Sequence, residues 1–269
     1  MTNNYFSDKA AVITGASIGI GRELAFQMAA QGARLALAAR NQEQLEAVAA
    51  GCRERGGTAV AIPTDVADRN QAENLIKKTV GKFGRIDILI NNAGISMWSL
   101  FEQVEELKVF EQIMQTNFLG SVYCTHYALP YLKETKGQLV AISSLAGKTG
   151  VPTRSGYAAS KHAMVGFFDT LRIELAKDGV DVTLVYPGFV LTEIRLRALT
   201  GDGSELGHEP VQEKGAMTAA ECAALILPAI AKRKRELVMT PRGKVGQWLK
   251  LIAPALVDRI AQNAIEKGR

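Results

Sequence analysis

The sequence predicts a doubly wound α/β protein, a seven-stranded parallel sheet between two layers of helices (three layers, αβα), in a single domain, residues 1–269, that ends in a helical extension over 243–269. Three observations point to this. Short apolar runs alternate with helical periodicity along the chain. A glycine-rich turn joins the first run to the first helix. The polar motifs follow the apolar runs directly, which is where a parallel sheet places its ligand crevice. Length agrees, since 269 residues with 47% hydrophobic content bury one sizeable core without a second domain.

The first run, 10–14, reads as a buried strand, followed by Gly15-Ala16-Ser17-Ile18-Gly19-Ile20-Gly21 and a helix over 22–31. Glycines at 15, 19 and 21 allow a sharp turn, close approach to a pyrophosphate and tight helix packing, and the helix start offers unpaired N–H groups. Taken alone, the loop is also compatible with an ordinary strand-to-helix turn. Further strands are expected at 34–39, 58–62, 86–90, 138–142, 180–185 and 236–239, each separated by a helix and joined by right-handed crossovers. After the second strand, where an acid would bind a ribose 2′-hydroxyl, the chain has Arg40. A guanidinium suits a 2′-phosphate, so NADP(H) is favoured, with Ser17 able to add a hydroxyl. A solvated arginine at a helix start is the plain alternative.

Tyr157 and Lys161 lie four apart in a helix-compatible segment, on one face, with Ser144 thirteen residues before Tyr157 at the end of the fifth strand. A positive neighbour lowers a phenol's pKa; a shift of about 3 units toward neutrality requires roughly 4 kcal/mol. A lysine in water does not supply that, whereas a desolvated site that also holds an oxidised nicotinamide does. Ser143 competes for the serine role, but the spacing favours Ser144.

Together, Thr14-Gly15-x-x-x-Gly19-x-Gly21, Asn91-Asn92-Ala93-Gly94, Asn117, Ser144, Tyr157-x-x-x-Lys161 and Pro187-Gly188 resemble the motif set of the short-chain dehydrogenase/reductase family, in its order and over residues 8 to 240. Within the family, Ala39-Arg40 and the helical extension are similar to the hydroxysteroid-dehydrogenase-like and carbonyl-reductase branches. The resemblance implies a Rossmann-type fold and an NADP(H)-dependent oxidoreductase that moves a hydride between nicotinamide and a carbonyl/alcohol pair, with Tyr157 as general acid/base. It implies that Ser144 polarises the carbonyl, that Lys161 acidifies the phenol and holds the ribose, and that the Asn117 carbonyl holds a water linked to Lys161. For the cofactor it implies Gly15, Ser17, Ile18, Gly19, Ile20 and Gly21 at the phosphates and Asp65-Val66 at the adenine. It further implies Asn91 as a brace, Ala93 and Gly94 against the ribose, and Pro187, Gly188, Val190 and Thr192 at the nicotinamide. Ile18 departs from relatives that carry a basic residue there, and Asp65 taken alone reads as a helix cap, although Asp68 is the better candidate.

The substrate wall is expected from Met97, Trp98, Phe101 and Phe189, which suit a hydrophobic ketone or alcohol, and a lid from 189–217, whose Gly201, Gly203, Gly207 and Pro210 suggest mobility. The net charge of +5 is too modest and spread for nucleic acid. The odd, scattered Cys52, Cys124 and Cys222 suggest a reducing, cytoplasmic setting and no metal site. The start shows no signal-peptide pattern, and no run of eighteen apolar residues suggests a membrane span. From 245 to 265, Val245, Trp248, Leu249, Ile252, Leu256 and Ile260 follow helical spacing with a break at Pro254. That stripe fits packing on a second subunit or the lid, or, with Lys232-Arg233-Lys234-Arg235 and Lys250, contact with an anionic membrane. A homodimer or homotetramer is expected from the resemblance. The rival readings are a 3-oxoacyl-carrier-protein reductase, which the tail beyond Thr240 disfavours, a catalytically idle dinucleotide sensor, and a membrane-surface protein.

Overall fold

The computed structural model describes residues 4–208 and 216–266. In chain order the first elements are β1 (Ala10–Thr14), α1 (Gly19–Ala29), β2 (Arg34–Ala39), α2 (Gln42–Glu54), β3 (Thr58–Pro63), α3 (Arg69–Phe83) and β4 (Ile88–Asn91). They are followed by α4 (Lys108–Ile113), α5 (Gly120–Thr135), β5 (Gln138–Ile142), α6 (Ser155–Glu174) and β6 (Asp181–Tyr186). The last are β7 (Val190–Leu191), β8 (Met217–Thr218), α7 (Ala219–Ala231), β9 (Glu236–Val238), α8 (Pro241–Ile252) and α9 (Pro254–Glu266). The sheet has seven strands in the order β3-β2-β1-β4-β5-β6-β9, every pair parallel.

Strand residues alternate between two cores. Ala11, Ile13, Leu35, Leu37, Ile88 and Ile90 face α1, α2 and α7, whereas Val12, Ala36, Ala38, Leu89, Leu139 and Ala141 face α3, α5 and α6. Both faces are covered, so the strands read as continuous apolar runs. The strand order reverses between β1 and β4, which opens the crevice beside their carboxyl ends.

Several boundaries differ from the sequence reading. α1 begins at Gly19, three residues before the expected helix, and Gly19 itself has φ +55°, the left-handed region that a glycine enters without strain. β3 and β6 each run one residue further, to Pro63 and Tyr186, and β9 stops at Val238. β4 starts at Ile88 although Ile86 is fully buried, because Asp87 breaks the run: its carboxylate accepts the Ala10 N–H at 2.9 Å. Asp68, as expected, caps α3 through the Asn70 and Gln71 N–H groups.

Candidate active site

A cavity of about 820 Å³ runs along the carboxyl ends of the strands. It is lined by Gly15 to Ile20, apart from Ala16, by Arg40, Asp65 and Val66, by Ser144, Tyr157 and Lys161, and by the segment from Pro187 to Thr192 apart from Leu191. Thr192 lies against Gly19, where a Cβ would meet its side chain at 3.1 Å.

The loop after β1 is fixed by backbone demands. Gly15 has φ +64°, and a Cβ there would lie 2.8 Å from the Ala93 Cα; at Gly21 it would lie 2.3 Å from the Gly15 carbonyl oxygen. Gly21 therefore packs helix onto loop and does not line the cavity. The residue before α1, Ile18, supplies no side-chain cap, so the first N–H groups of the helix lack that partner at the cavity wall. These features, with Arg40 lining the same cavity, fit the phosphates of a dinucleotide.

Asn91, expected as a brace and counted among the cofactor residues, does not line the cavity. It lies inside the fold, where its amide donates to Thr125 Oγ1 at 3.1 Å and ties β4 to α5. Asn92 lines the cavity instead, and its Nδ2 holds the carbonyls of Thr14 and Gly15 at 2.9 and 3.0 Å. Thr14 completes the clamp by accepting the Asn92 and Ala93 N–H groups at its hydroxyl. Sequence reasoning gave neither residue a role; the signal was a polar residue ending a wholly buried strand. Asp65 lines the cavity and accepts the Ala67 N–H, so its turn is formed locally.

Asn117 sits in a π-helical turn, Met114–Leu119, that widens the path between α4 and α5. It is fully buried and outside the cavity lining. Its side chain pairs with Ile95 as a strand would, accepting the N–H at 2.8 Å and donating to the carbonyl at 2.9 Å, and it also donates to Ser160 Oγ at 2.9 Å. Ser160 in turn donates to the Tyr157 carbonyl at 2.7 Å. Asn117 is thus joined to the catalytic helix through Ser160, and its own carbonyl accepts from Ser121. Asn117 makes no hydrogen bond to the Lys161 ammonium, which donates to the Ile142 carbonyl, although both side chains lie beside Gly94.

Tyr157 and Lys161 are both buried on α6 and both face the cavity, with the Lys161 Nζ 5.7 Å from the phenol ring centroid. Ser144 is hydrogen-bonded to the phenol, whereas Ser143 donates to the Lys161 carbonyl, which separates the two serines by role. The expected acidification rests on a nicotinamide charge beside the lysine; the protein's own groups act, on balance, in the other direction. Burial pushes Tyr157 up from its ordinary value, only partly offset by the Ser144 hydrogen bond and the Arg154 charge. Burial likewise pulls Lys161 down to about 8, with its ammonium donating to the Ile142 carbonyl at 2.9 Å. Desolvation, invisible in a sequence, outweighs the i, i+4 proximity.

This predicts a pH effect on stability. The unfolded lysine keeps its proton to about pH 10.4 and the folded one releases it near 8, so across that window the unfolded state binds more protons and stability rises with pH. The contribution is complete above the unfolded pKa and is lost as pH falls through 8, in total about 3 kcal/mol. Urea unfolding of Lys161→Met between pH 8 and 10 should show that slope removed; an unchanged slope would sink the assignment.

The substrate wall also differs from expectation. Phe189 lines the cavity, but Met97 is core and Phe101 is exposed at 67%, edge-on to Phe110. Trp98 lines a separate shallow pocket and lies under the Arg154 guanidinium at 5.0 Å. Apolarity alone does not separate core from cavity. Ile95, Ile194 and Leu199 take the expected places, together with Arg154 and Arg195. The ends of the expected lid are zipped by β7 pairing with β8, and Leu199 bridges to Met97 and Glu205, so much of 189–208 has fixed structure. Residues 209–215 of the lid, Pro210 among them, lie outside the described residues.

The fold and this site define a nucleotide-binding α/β enzyme, and comparison places it further. The short chain dehydrogenase family model matches residues 9–202. An 11-beta-hydroxysteroid dehydrogenase-like 4A of Arabidopsis thaliana is 40% identical over 93% of this chain and 82% of its own. Dehydrogenase/reductase SDR family member 7B of Bos taurus is 36% identical over 98% and 84%. A short chain dehydrogenase/reductase from Burkholderia phymatum, solved in complex with NAD, superposes with a TM-score of 0.82 at 25% identity, covering 94% of this chain and 96% of that one. The chain belongs to the short-chain dehydrogenase/reductase family, oxidoreductases that act on CH–OH groups with a nicotinamide dinucleotide.

Proposed function

We propose that the protein is an NADP(H)-dependent oxidoreductase for a hydrophobic carbonyl/alcohol pair. The observation that carries this reading is a single cavity lined both by the Gly15–Ile20 loop and Arg40 and by Ser144, Tyr157 and Lys161. A bound nicotinamide dinucleotide supplies the hydride donor or acceptor and, when oxidised, a positive charge. Ser144 holds the carbonyl oxygen by a hydrogen bond, and the phenol of Tyr157 delivers a proton to it as negative charge develops. Because burial keeps the phenol protonated, the site is set for reduction at neutral pH. Lys161 holds the ribose and adds positive potential on the phenol's helix face. Arg40 and Ser17 take the 2′-phosphate, Asp65 and Val66 the adenine, and Pro187 to Thr192 the carboxamide. A homo-oligomer in the cytoplasm completes the reading.

A carbonyl panel with NADPH oxidation as readout tests it. Turnover of apolar ketones with NADPH favoured over NADH is expected. Cofactor binding without turnover would make it an idle sensor, and preference for acyl-carrier thioesters a 3-oxoacyl-carrier-protein reductase.

A further inference from the structure

Six of the large apolar side chains left exposed among the described residues gather on the C-terminal helix pair. They are Val245, Trp248, Leu251 and Ile252 on α8 and Leu256 and Ile260 on α9, each 47% to 83% exposed. At 100° per residue the first four share one face of α8, and the last two share one face of α9. The two helices pack on each other around the break at Ala253, and these faces stay exposed among the described residues. Lys232 to Arg235 precede β9, which separates them in sequence from α8 and α9, and two of them are engaged within the body: Arg233 pairs with Asp181 and Arg235 with Asp169.

Charge identifies what covers the stripe. Residues 241–269 contain six basic residues against two acidic ones. Lys244, Lys250 and Arg259 are exposed on the same helices as the apolar side chains. A two-fold contact between copies would set this positive charge against itself. An anionic lipid surface complements it and accepts the apolar face. The helices have 12 and 13 residues, short of the ~20 that a span requires, and no helix among the described residues is long and apolar enough to cross a membrane. The pair is also tied to the catalytic side of the molecule. Gly243 lies against Leu145, the neighbour of Ser144, and Lys250 Nζ donates to the Lys148 carbonyl at 2.8 Å.

We propose that α8 and α9 form an in-plane docking surface for an anionic phospholipid membrane, which holds the substrate end of the cavity beside a lipid phase. The test is co-sedimentation of the full chain with phosphatidylcholine vesicles containing or lacking phosphatidylserine, alongside Trp248 fluorescence. Binding to the phosphatidylserine vesicles, weakened by salt and accompanied by a blue shift, is expected. Trp248→Ser with Ile252→Ser should lower the partition roughly tenfold or more, while turnover of a water-soluble ketone is unchanged. Lys244→Glu with Arg259→Glu should remove the preference for phosphatidylserine. Absence of binding, equal binding to both vesicle types, or equal binding by the Trp248/Ile252 variant overturns the proposal. So does a dimer in sedimentation velocity that the same variant dissociates, since the face then belongs to a second copy.

Discussion

Tyr157→Phe should lower kcat roughly 10³-fold, within the range that a positioned general acid supplies, and should leave dinucleotide affinity within about twofold. The substitution keeps the ring and so keeps its packing with Met97, Val109, Ile113 and Ala146. It removes the hydroxyl that Ser144 bonds, and with it the proton that reduction requires. Loss of turnover without loss of cofactor affinity separates proton delivery from binding, measured by steady-state kinetics and by fluorescence titration. Wild-type kcat in the variant would end the assignment. The wild-type enzyme adds a check with a definite sign. Burial raises the phenol's pKa, so the reduction rate should hold between about pH 6 and 8, and oxidation, which requires phenolate, should climb with pH. A reduction rate that falls steadily across that range would point to an acidified tyrosine.

The strands were legible because both faces of the sheet are covered, which turns Val12-Ile13 or Leu139-Val140 into unbroken apolar runs. The motif residues were legible because a parallel sheet brings its carboxyl ends together, so Gly15, Asn92, Ser144 and Pro187 meet although far apart in sequence. Three things were not legible. Met97 and Phe101 are both apolar, yet one is core and the other exposed, a difference set by how the segment after β4 is held between the Asn117 side chain and Leu199. The π turn around Asn117 has no sequence period of its own, and its cause becomes visible only with Ile95 and Ser160 in place. The sign of the Tyr157 shift depends on the water that α6 excludes, and four-residue spacing says nothing about that. The same gap explains the tail. Its helical stripe was readable, but whether Trp248 and Ile252 turn toward the protein or away from it was not.

Arg40→Asp should weaken NADPH binding by roughly 100-fold, the loss of one or two charge-assisted hydrogen bonds together with a new repulsion. Arg40 is exposed at the end of β2, in the cavity wall shared with Ser17 and Asp65, and Asn41 beside it is already committed to capping α2. On the proposed NADP(H) reading, the guanidinium is the cationic group that the β2–α2 turn offers to a 2′-phosphate. An aspartate at the same place accepts hydrogen bonds from an unphosphorylated ribose, so NADH affinity should rise while NADPH affinity falls. Because Arg40 is exposed, its contribution is screened: raising the salt concentration should weaken NADPH binding to the wild-type protein more than to the variant. Fluorescence titration of both cofactors at two ionic strengths measures all of this. An unchanged NADPH/NADH ratio would remove Arg40 from the site and leave cofactor choice to the Ser17–Ile18 segment, whose hydroxyl is neutral and whose isoleucine carries no charge with which to attract a phosphate.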